Sequence, residues 1–405
     1  HPFTLVCGTP EGTFAARDAL GPAFDDRRAI GLWWWEVDRL RGRWLRAFDG
    51  LDEVWAGSAY VADLLAPVSP VPVLRMPLPV STPRAADLPR GALGLPDGFT
   101  FGFVFDHAST LGRKNPLGLI EAFSRAFPPG EPGDEHLVLK TLGGDRHPDA
   151  HARVLAAAAR HPRVTVIDRH LDVEEKNALI ERLDAYVSLH RAEGFGLTIA
   201  EAMLLGTPVI ATDYGGSRDF VTSFNGWPVD FKLAPVGPGN DPYPADGEWA
   251  EPDLEHAAAV LREVAARPEE AARRAERAAA EVAHAHAPAR VGALMVQRLR
   301  TLSGLGAARD GRVEPLDLVA LADRVRTGPR TGDDARGRLR DAVLRVLRPY
   351  TVHQRLVDEE LLRALRTLDE RVRGVAAGQS SLAAELRDRT PGGPGEAAVP
   401  PSSDA

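Results

Sequence analysis

The chain has 405 residues, 44% of them hydrophobic and 26% charged, with a formal net charge of −8. That length supplies two or three domains with a sizeable core, and the acidic balance gives no reason to expect a nucleic-acid partner. A single cysteine, Cys7, excludes an internal disulfide framework and fits a reducing compartment, so a cytoplasmic location is expected.

Residues 1–85 read as the later part of an α/β unit. Apolar runs at Phe3–Cys7, Ala29–Trp33, Glu53–Ala56 and Val71–Leu74 alternate with helix-like segments such as Asp38–Phe48 and Ser58–Leu65. About four strands are few for a complete doubly wound unit. The chain also starts at His1 without an initiator Met or a signal-peptide pattern, so an N-terminally shortened first domain is expected. The Pro-rich stretch Pro67–Pro83 reads as the crossing to the next unit.

Residues 86–303 carry a clearer pattern. Strand-like runs at Phe99–Asp106, His136–Leu142, Arg163–Asp168, Asp184–His190 and Thr207–Thr212 are spaced by helical segments at Pro116–Phe127, Asp149–Arg160, Val173–Leu183 and Thr198–Leu205. A weaker run lies at Gly226–Asp230. Strands alternating with helices of this length imply βαβ crossovers and a parallel sheet, so a complete Rossmann-like domain is expected. Asn115-Pro116 reads as an N-cap followed by proline at the first helical position. Ala- and Arg-rich helices follow from residue 254, restarting at Pro268 and near Pro288. Residues 304–389 read as a helical, coiled-coil-like extension. Its seam at 357–386 (Val357, Leu361, Leu365, Leu368, Val372) is a candidate for self-association. The Pro-, Gly- and Ser-rich tail 390–405 reads as disordered. No apolar run approaches the roughly 20 residues of a membrane-spanning helix.

The most informative stretch is Leu189-His190-Arg191-Ala192-Glu193-Gly194-Phe195-Gly196-Leu197-Thr198-Ile199-Ala200-Glu201. It joins the carboxyl end of a predicted strand to a helix, where open α/β sheets bind ligands. Gly194 and Gly196 allow close backbone approach, and the helix N-terminus near Thr198 favours a phosphate or diphosphate. Thr198 and Glu201 also fit a Thr-x-x-Glu capping box, which would give Glu201 a purely local role. Capping leaves Glu193 unexplained. A carboxylate beside an anion site needs hydroxyl donors, and sugars supply them.

These residues resemble family 4 retaining glycosyltransferases. Glu193 and Glu201 frame that family's E-x7-E motif, and Gly206-Thr207-Pro208-Val209-Ile210-Ala211-Thr212 looks like its G-x-P-V-I-A-T strand. The likeness runs from Gly31-Leu32-Trp33-Trp34-Trp35-Glu36 through Asp52-Glu53-Val54-Trp55 and Arg113-Lys114-Asn115-Pro116 to about Leu302, roughly three quarters of the chain. It implies a GT-B fold of two Rossmann-like domains, with residues 1–85 on the acceptor side and 86–303 on the donor side. It implies transfer from a nucleotide-sugar to a carbohydrate or lipid-linked glycan, with no cofactor and no metal, in the cytoplasm or at the inner face of the membrane. By resemblance Glu193 contacts the donor sugar and Glu201 the ribose. The backbone of Gly194, Phe195, Gly196, Leu197 and Thr198 holds sugar and diphosphate, while Lys114 and Arg113 meet the diphosphate charge. Relatives often carry an Arg six residues before the Lys, where this chain has Ala108.

Other features carry less. Of 49 basic residues four are lysines, Lys114, Lys140, Lys176 and Lys232, which leaves 45 arginines and makes each lysine worth locating. Lys140 reads either as a nucleotide contact or as a solvated strand-end cation. Two of Trp33, Trp34 and Trp35 are expected in a core, with Glu36 of interest if it turns inward. His284 and His286 are two apart and cannot share a helix face as metal ligands. No Asp-x-Asp triplet occurs. A nucleotide-sugar epimerase of the same architecture and a non-catalytic nucleotide-sugar-binding scaffold are the alternatives.

Overall fold

Four strands near the start of the chain pair in sequence order. They are β1 (Phe3–Gly8), β2 (Arg28–Trp33), β3 (Glu53–Ala56) and β4 (Val73–Arg75). All neighbours in this sheet are parallel, in the order β1-β2-β3-β4. The computed structural model describes residues 2–307. The expected seam at 357–386, the tail 390–405 and nearly all of the extension 304–389 lie outside the described residues.

A second parallel sheet is built from β5 (Phe99–Asp106), β6 (Glu135–Leu142), β7 (Val164–Ile167), β8 (Ala185–Ser188), β9 (Val209–Thr212) and β10 (Trp227–Val229). Its order is β10-β9-β8-β5-β6-β7. The order reverses between β5 and β8, so the loops after these two strands share one edge, the place where such sheets bind ligands. The strands are apolar on both faces, as helices on either side require: β8 and β9 are buried at every residue. Phe101, Phe103, Phe123, Tyr186 and Met203 belong to the core beneath that edge.

A two-stranded antiparallel ribbon, β11 (Phe231–Pro235) and β12 (Glu248–Pro252), follows β10. Its strands lack clean alternation and its connection is rich in Gly, Pro and Asp, so it carries no strand signal of its own in the sequence. The other departure is Asp38–Phe48, expected as a helix. It forms a short 3₁₀ turn, Gly42–Phe48. Its aromatic residues serve tertiary contacts instead: Trp35 and Trp44 meet edge to face at 4.5 Å and join Val37, Val236, Tyr243 and Trp249 in one cluster. Its charged residues bond the ribbon connection, with Arg41 on Asp241 and Arg39 on Asp246.

The helices Leu254–Ala266, Pro268–Ala285 and Pro288–Ala307 end the described chain. The last returns to the first sheet, where Arg298 Nε lies 3.0 Å from Oε2 of the fully buried Glu53 side chain. Trp55 Nε1 donates to the other oxygen of Glu53 at 2.6 Å. Among the described residues no helix is long and apolar enough to cross a membrane.

Candidate functional site

The turn after β8 faces the first sheet. Ser58, which caps the helix Ala59–Leu65, donates its hydroxyl to the Gly194 carbonyl at 2.6 Å. A Cβ on Gly194 would stand 2.9 Å from the Trp35 carbonyl oxygen, so backbone meets backbone here and the position has no room for a side chain. Beside it, Asp219 accepts from the Ala59 amide at 2.9 Å and pairs with Arg75 at 3.0 Å. The carboxyl edges of the two sheets therefore meet at this turn.

The helix after this turn runs Leu197–Leu204 and is capped by the backbone of Gly196, which holds φ 92° in the left-handed region. Thr198 is its second residue, and no side chain caps the helix. The capping box expected as an alternative is not formed, because the glycine turn places the helix start one residue before Thr198. Glu201 instead reaches Lys176 of the helix Val173–Glu181, with Nζ to Oε2 at 2.6 Å. First-turn amides of the Leu197–Leu204 helix are left without a side-chain acceptor from the cap, the arrangement that suits an anion. Phe195 turns inward, its ring 5.3 Å from that of Phe220 and 5.2 Å from His286, so only its backbone faces the turn.

Glu193 gathers the cations. Lys114 Nζ lies 2.6 Å from Glu193 Oε2, and Arg113 Nη1 lies 3.3 Å from the same oxygen. Arg113 is fixed by bonds to the carbonyls of Ser109 and Ala192, both at 3.1 Å. Asn115 locks the segment: in the left-handed region at φ 53°, it accepts from the Gly118 amide and donates to the Leu189 carbonyl at 2.9 Å. Burial by itself raises a carboxyl, but the Lys114 and Arg113 charges overcome it and hold Glu193 well below the usual carboxylate range. Burial pushes the Lys114 ammonium below the usual lysine range, with Glu193 opposing the shift. Arg113 thus stands with the charged cluster, where the sequence has Ala108 instead of a more distant arginine.

On the first-sheet side, Glu36 follows β2 and accepts from the Tyr243 hydroxyl at 3.2 Å. Burial raises its carboxyl above the usual range, and nearby Glu193 adds to this against Arg113 and Lys114. Glu36 therefore does turn inward, onto Tyr243. Trp33 and Trp35 are buried in cores, and Trp34 is half-buried. Tyr243 and Lys176 are site residues that motif reasoning missed. The scarcity of lysine was the available signal for Lys176; the ribbon that carries Tyr243 left none.

The remaining candidates fall elsewhere. Lys140 is buried and folds back onto the Thr141 carbonyl, not into solvent. His286 bonds the Leu78 carbonyl and His284 contacts Arg290. Cys7 lies in β1. Among the described residues no group of three or more His, Cys, Asp or Glu could hold a metal ion.

Residues 101–235 match the family model described as glycosyl transferases group 1. A stretch of 68 residues is 38% identical to the lipopolysaccharide core biosynthesis mannosyltransferase LpsB of Rhizobium meliloti. That stretch covers 17% of this chain and 18% of LpsB, so the chain spans less than a fifth of the curated relative it matches. Among solved structures, the sucrose-phosphate synthase of Thermosynechococcus elongatus superposes with a TM-score of 0.58 at 18% identity, over 75% of this chain and 74% of that one. The α,α-trehalose 6-phosphate synthase of Burkholderia multivorans gives 0.58 at 13%, over 78% and 74%. HepE of Anabaena, solved with UDP-glucose, gives 0.55 at 18%, over 74% and 78%. These structural likenesses establish the GT-B fold, and the turn lies within residues 101–235, which match the group 1 glycosyltransferase model.

Proposed function

We propose that this chain is a retaining glycosyltransferase that moves a sugar from a nucleotide-diphosphate-sugar to a hydroxyl of a carbohydrate or lipid-linked glycan. The observation that carries the reading is the Glu193 carboxylate, paired with Lys114 and Arg113 at the edge where the two sheets meet. The acceptor class is taken from the name of LpsB, a lipopolysaccharide core mannosyltransferase, and the place of action in this reading is the cytoplasm, at the inner membrane face. Residues 1–85 serve as the acceptor-side unit and 86–303 as the donor-side unit.

In this reading the diphosphate lies along the amides of Gly194, Phe195, Gly196, Leu197 and Thr198, with the helix dipole behind it. Glu193 accepts hydroxyl bonds from the donor sugar. Glu201 accepts them from the ribose. The bond from the anomeric carbon to the diphosphate oxygen breaks as the bond to the acceptor oxygen forms on the same face. The acceptor proton passes to the departing diphosphate, whose growing charge Lys114 and Arg113 meet. Cations already fixed in place before that charge develops are the main source of acceleration. No step calls for a metal or cofactor.

A melting screen against UDP-, GDP- and ADP-sugars identifies the donor, because a ligand that binds the folded chain raises its melting temperature. Release of nucleotide diphosphate from the stabilising donor, lost in Glu193→Ala, supports transfer chemistry. Stabilisation by none of these donors contradicts it.

A further inference from the structure

Four lysines stand among 45 arginines, and two of the four pair with the two glutamates of the Glu193–Glu201 motif. The geometry of the two pairs is alike. Lys114 and Lys176 each approach Oε2 of their glutamate at 2.6 Å, and Arg113 shares that same oxygen of Glu193. Among the described residues Oε1 of Glu193 and Oε1 of Glu201 carry no hydrogen bond. Two arginine pairs of this chain close their carboxylate, while others, such as Arg163 on Glu135 Oε2, also touch one oxygen. Arg191 takes both oxygens of Glu251, at 2.5 and 2.8 Å, and Arg298 spans both oxygens of Glu53. An arginine fork closes a carboxylate, whereas an ammonium leaves one oxygen open.

The position of Lys176 also needs explaining. It ends the first turn of the Val173–Glu181 helix, where a cation opposes the helix dipole. Its side chain and that of Glu201 are only 20% and 14% exposed. Packing of an apolar residue would suit that place as well, unless the carboxylate beside it has to be aimed.

We propose that Lys176 is a positioning residue that holds Glu201 by one oxygen and presents the other to the ribose hydroxyls of the nucleotide. The inference rests on the donor-binding reading above, and it extends that reading to a residue outside the motif. Lys176 sets discrimination between ribose and deoxyribose, not the chemistry at the anomeric carbon.

The test is calorimetric binding of UDP, GDP and ADP, each beside its 2′,3′-dideoxy counterpart, to the full chain. Wild type is expected to favour the ribonucleotide by about tenfold, the worth of a charge-assisted hydrogen bond. Lys176→Met is expected to lose that preference. Lys176→Arg is expected to lose it too while keeping the wild-type melting temperature, because the fork occupies both oxygens. A merely structural ion pair would be rescued by arginine, so wild-type preference in Lys176→Arg or in Lys176→Met overturns the proposal. Equal binding of ribo- and dideoxynucleotides by wild type also overturns it and leaves the donor reading standing. Binding of none of the diphosphates removes the donor reading itself.

Discussion

Lys114 Nζ sits 2.6 Å from Glu193 Oε2, and both side chains are largely buried. A carboxylate and an ammonium taken from water together stay charged because each offsets the other's desolvation, with Arg113 as a third member. The cluster carries one negative and two positive charges, so it is cationic at rest and suited to receive an anion.

Replacing Glu193 by Gln separates binding from turnover. The variant leaves two cations without their carboxylate, and breaking a buried pair in this way costs about 3 kcal/mol of stability. Inorganic pyrophosphate is expected to bind several-fold more tightly, because Lys114 and Arg113 are freed for it. Turnover of the donor is expected to fall by about 100-fold through lost contacts to the sugar. Calorimetry and a nucleotide-release assay on one preparation check both halves.

Lys114→Met acts in the opposite sense. Pyrophosphate affinity is expected to drop by about tenfold, the worth of one charge-assisted contact. Glu193 loses its strongest partner, so its carboxyl moves back toward the usual range. In the wild type the depressed Glu193 contributes stability that is present above its unfolded pKa and lost as pH falls through the folded value. The variant loses that contribution at higher pH, which acid melts followed by circular dichroism register.

Glu36 has the reverse linkage. Its folded carboxyl is raised by burial, so its contribution to stability is full below the unfolded pKa and is lost as pH rises through the folded value. Glu36→Gln mimics the neutral form. The two proteins are therefore expected to melt alike in acid, with the variant pulling ahead as pH rises above the unfolded carboxyl pKa. Parallel melting curves across that range would remove the buried-acid description of Glu36.

Gly194→Ala tests the contact between the sheets. The added Cβ would lie 2.9 Å from the Trp35 carbonyl oxygen, with backbone on both sides. Neither partner can swing away, so the expected cost is about 1–3 kcal/mol, read as a lowered melting temperature. Gly206→Ala is no match as a control because Gly206 holds φ 77°; Gly91→Ala, with nothing within 4 Å, is the neutral comparison.

Much of this architecture was legible before any coordinates. β3 and β5 fall on their expected residues, because Glu53–Ala56 and Phe99–Asp106 are short apolar runs bounded by turn signals. Glu193, Lys114 and Arg113 could be named from the resemblance to family 4 glycosyltransferases, and the fold brings them together. The losses share one cause, which is tertiary packing. Residues 38–48 have helical spacing, yet Trp35 and Trp44 are drawn into a cluster with the ribbon connection. Thr198 and Glu201 have capping-box spacing, yet Gly196 takes the cap and frees Glu201 for Lys176. Neither the Lys176–Glu201 pair nor the Glu36–Tyr243 bond joins neighbours in sequence, so neither leaves a local signature.

The most direct measurement of the central claim is release of nucleotide diphosphate from the sugar donor that stabilises the fold, compared between wild type and Glu193→Ala. Release by wild type with loss of about 100-fold or more in the variant is the expected result. Equal release by the two proteins would contradict the assignment of Glu193 to the donor sugar.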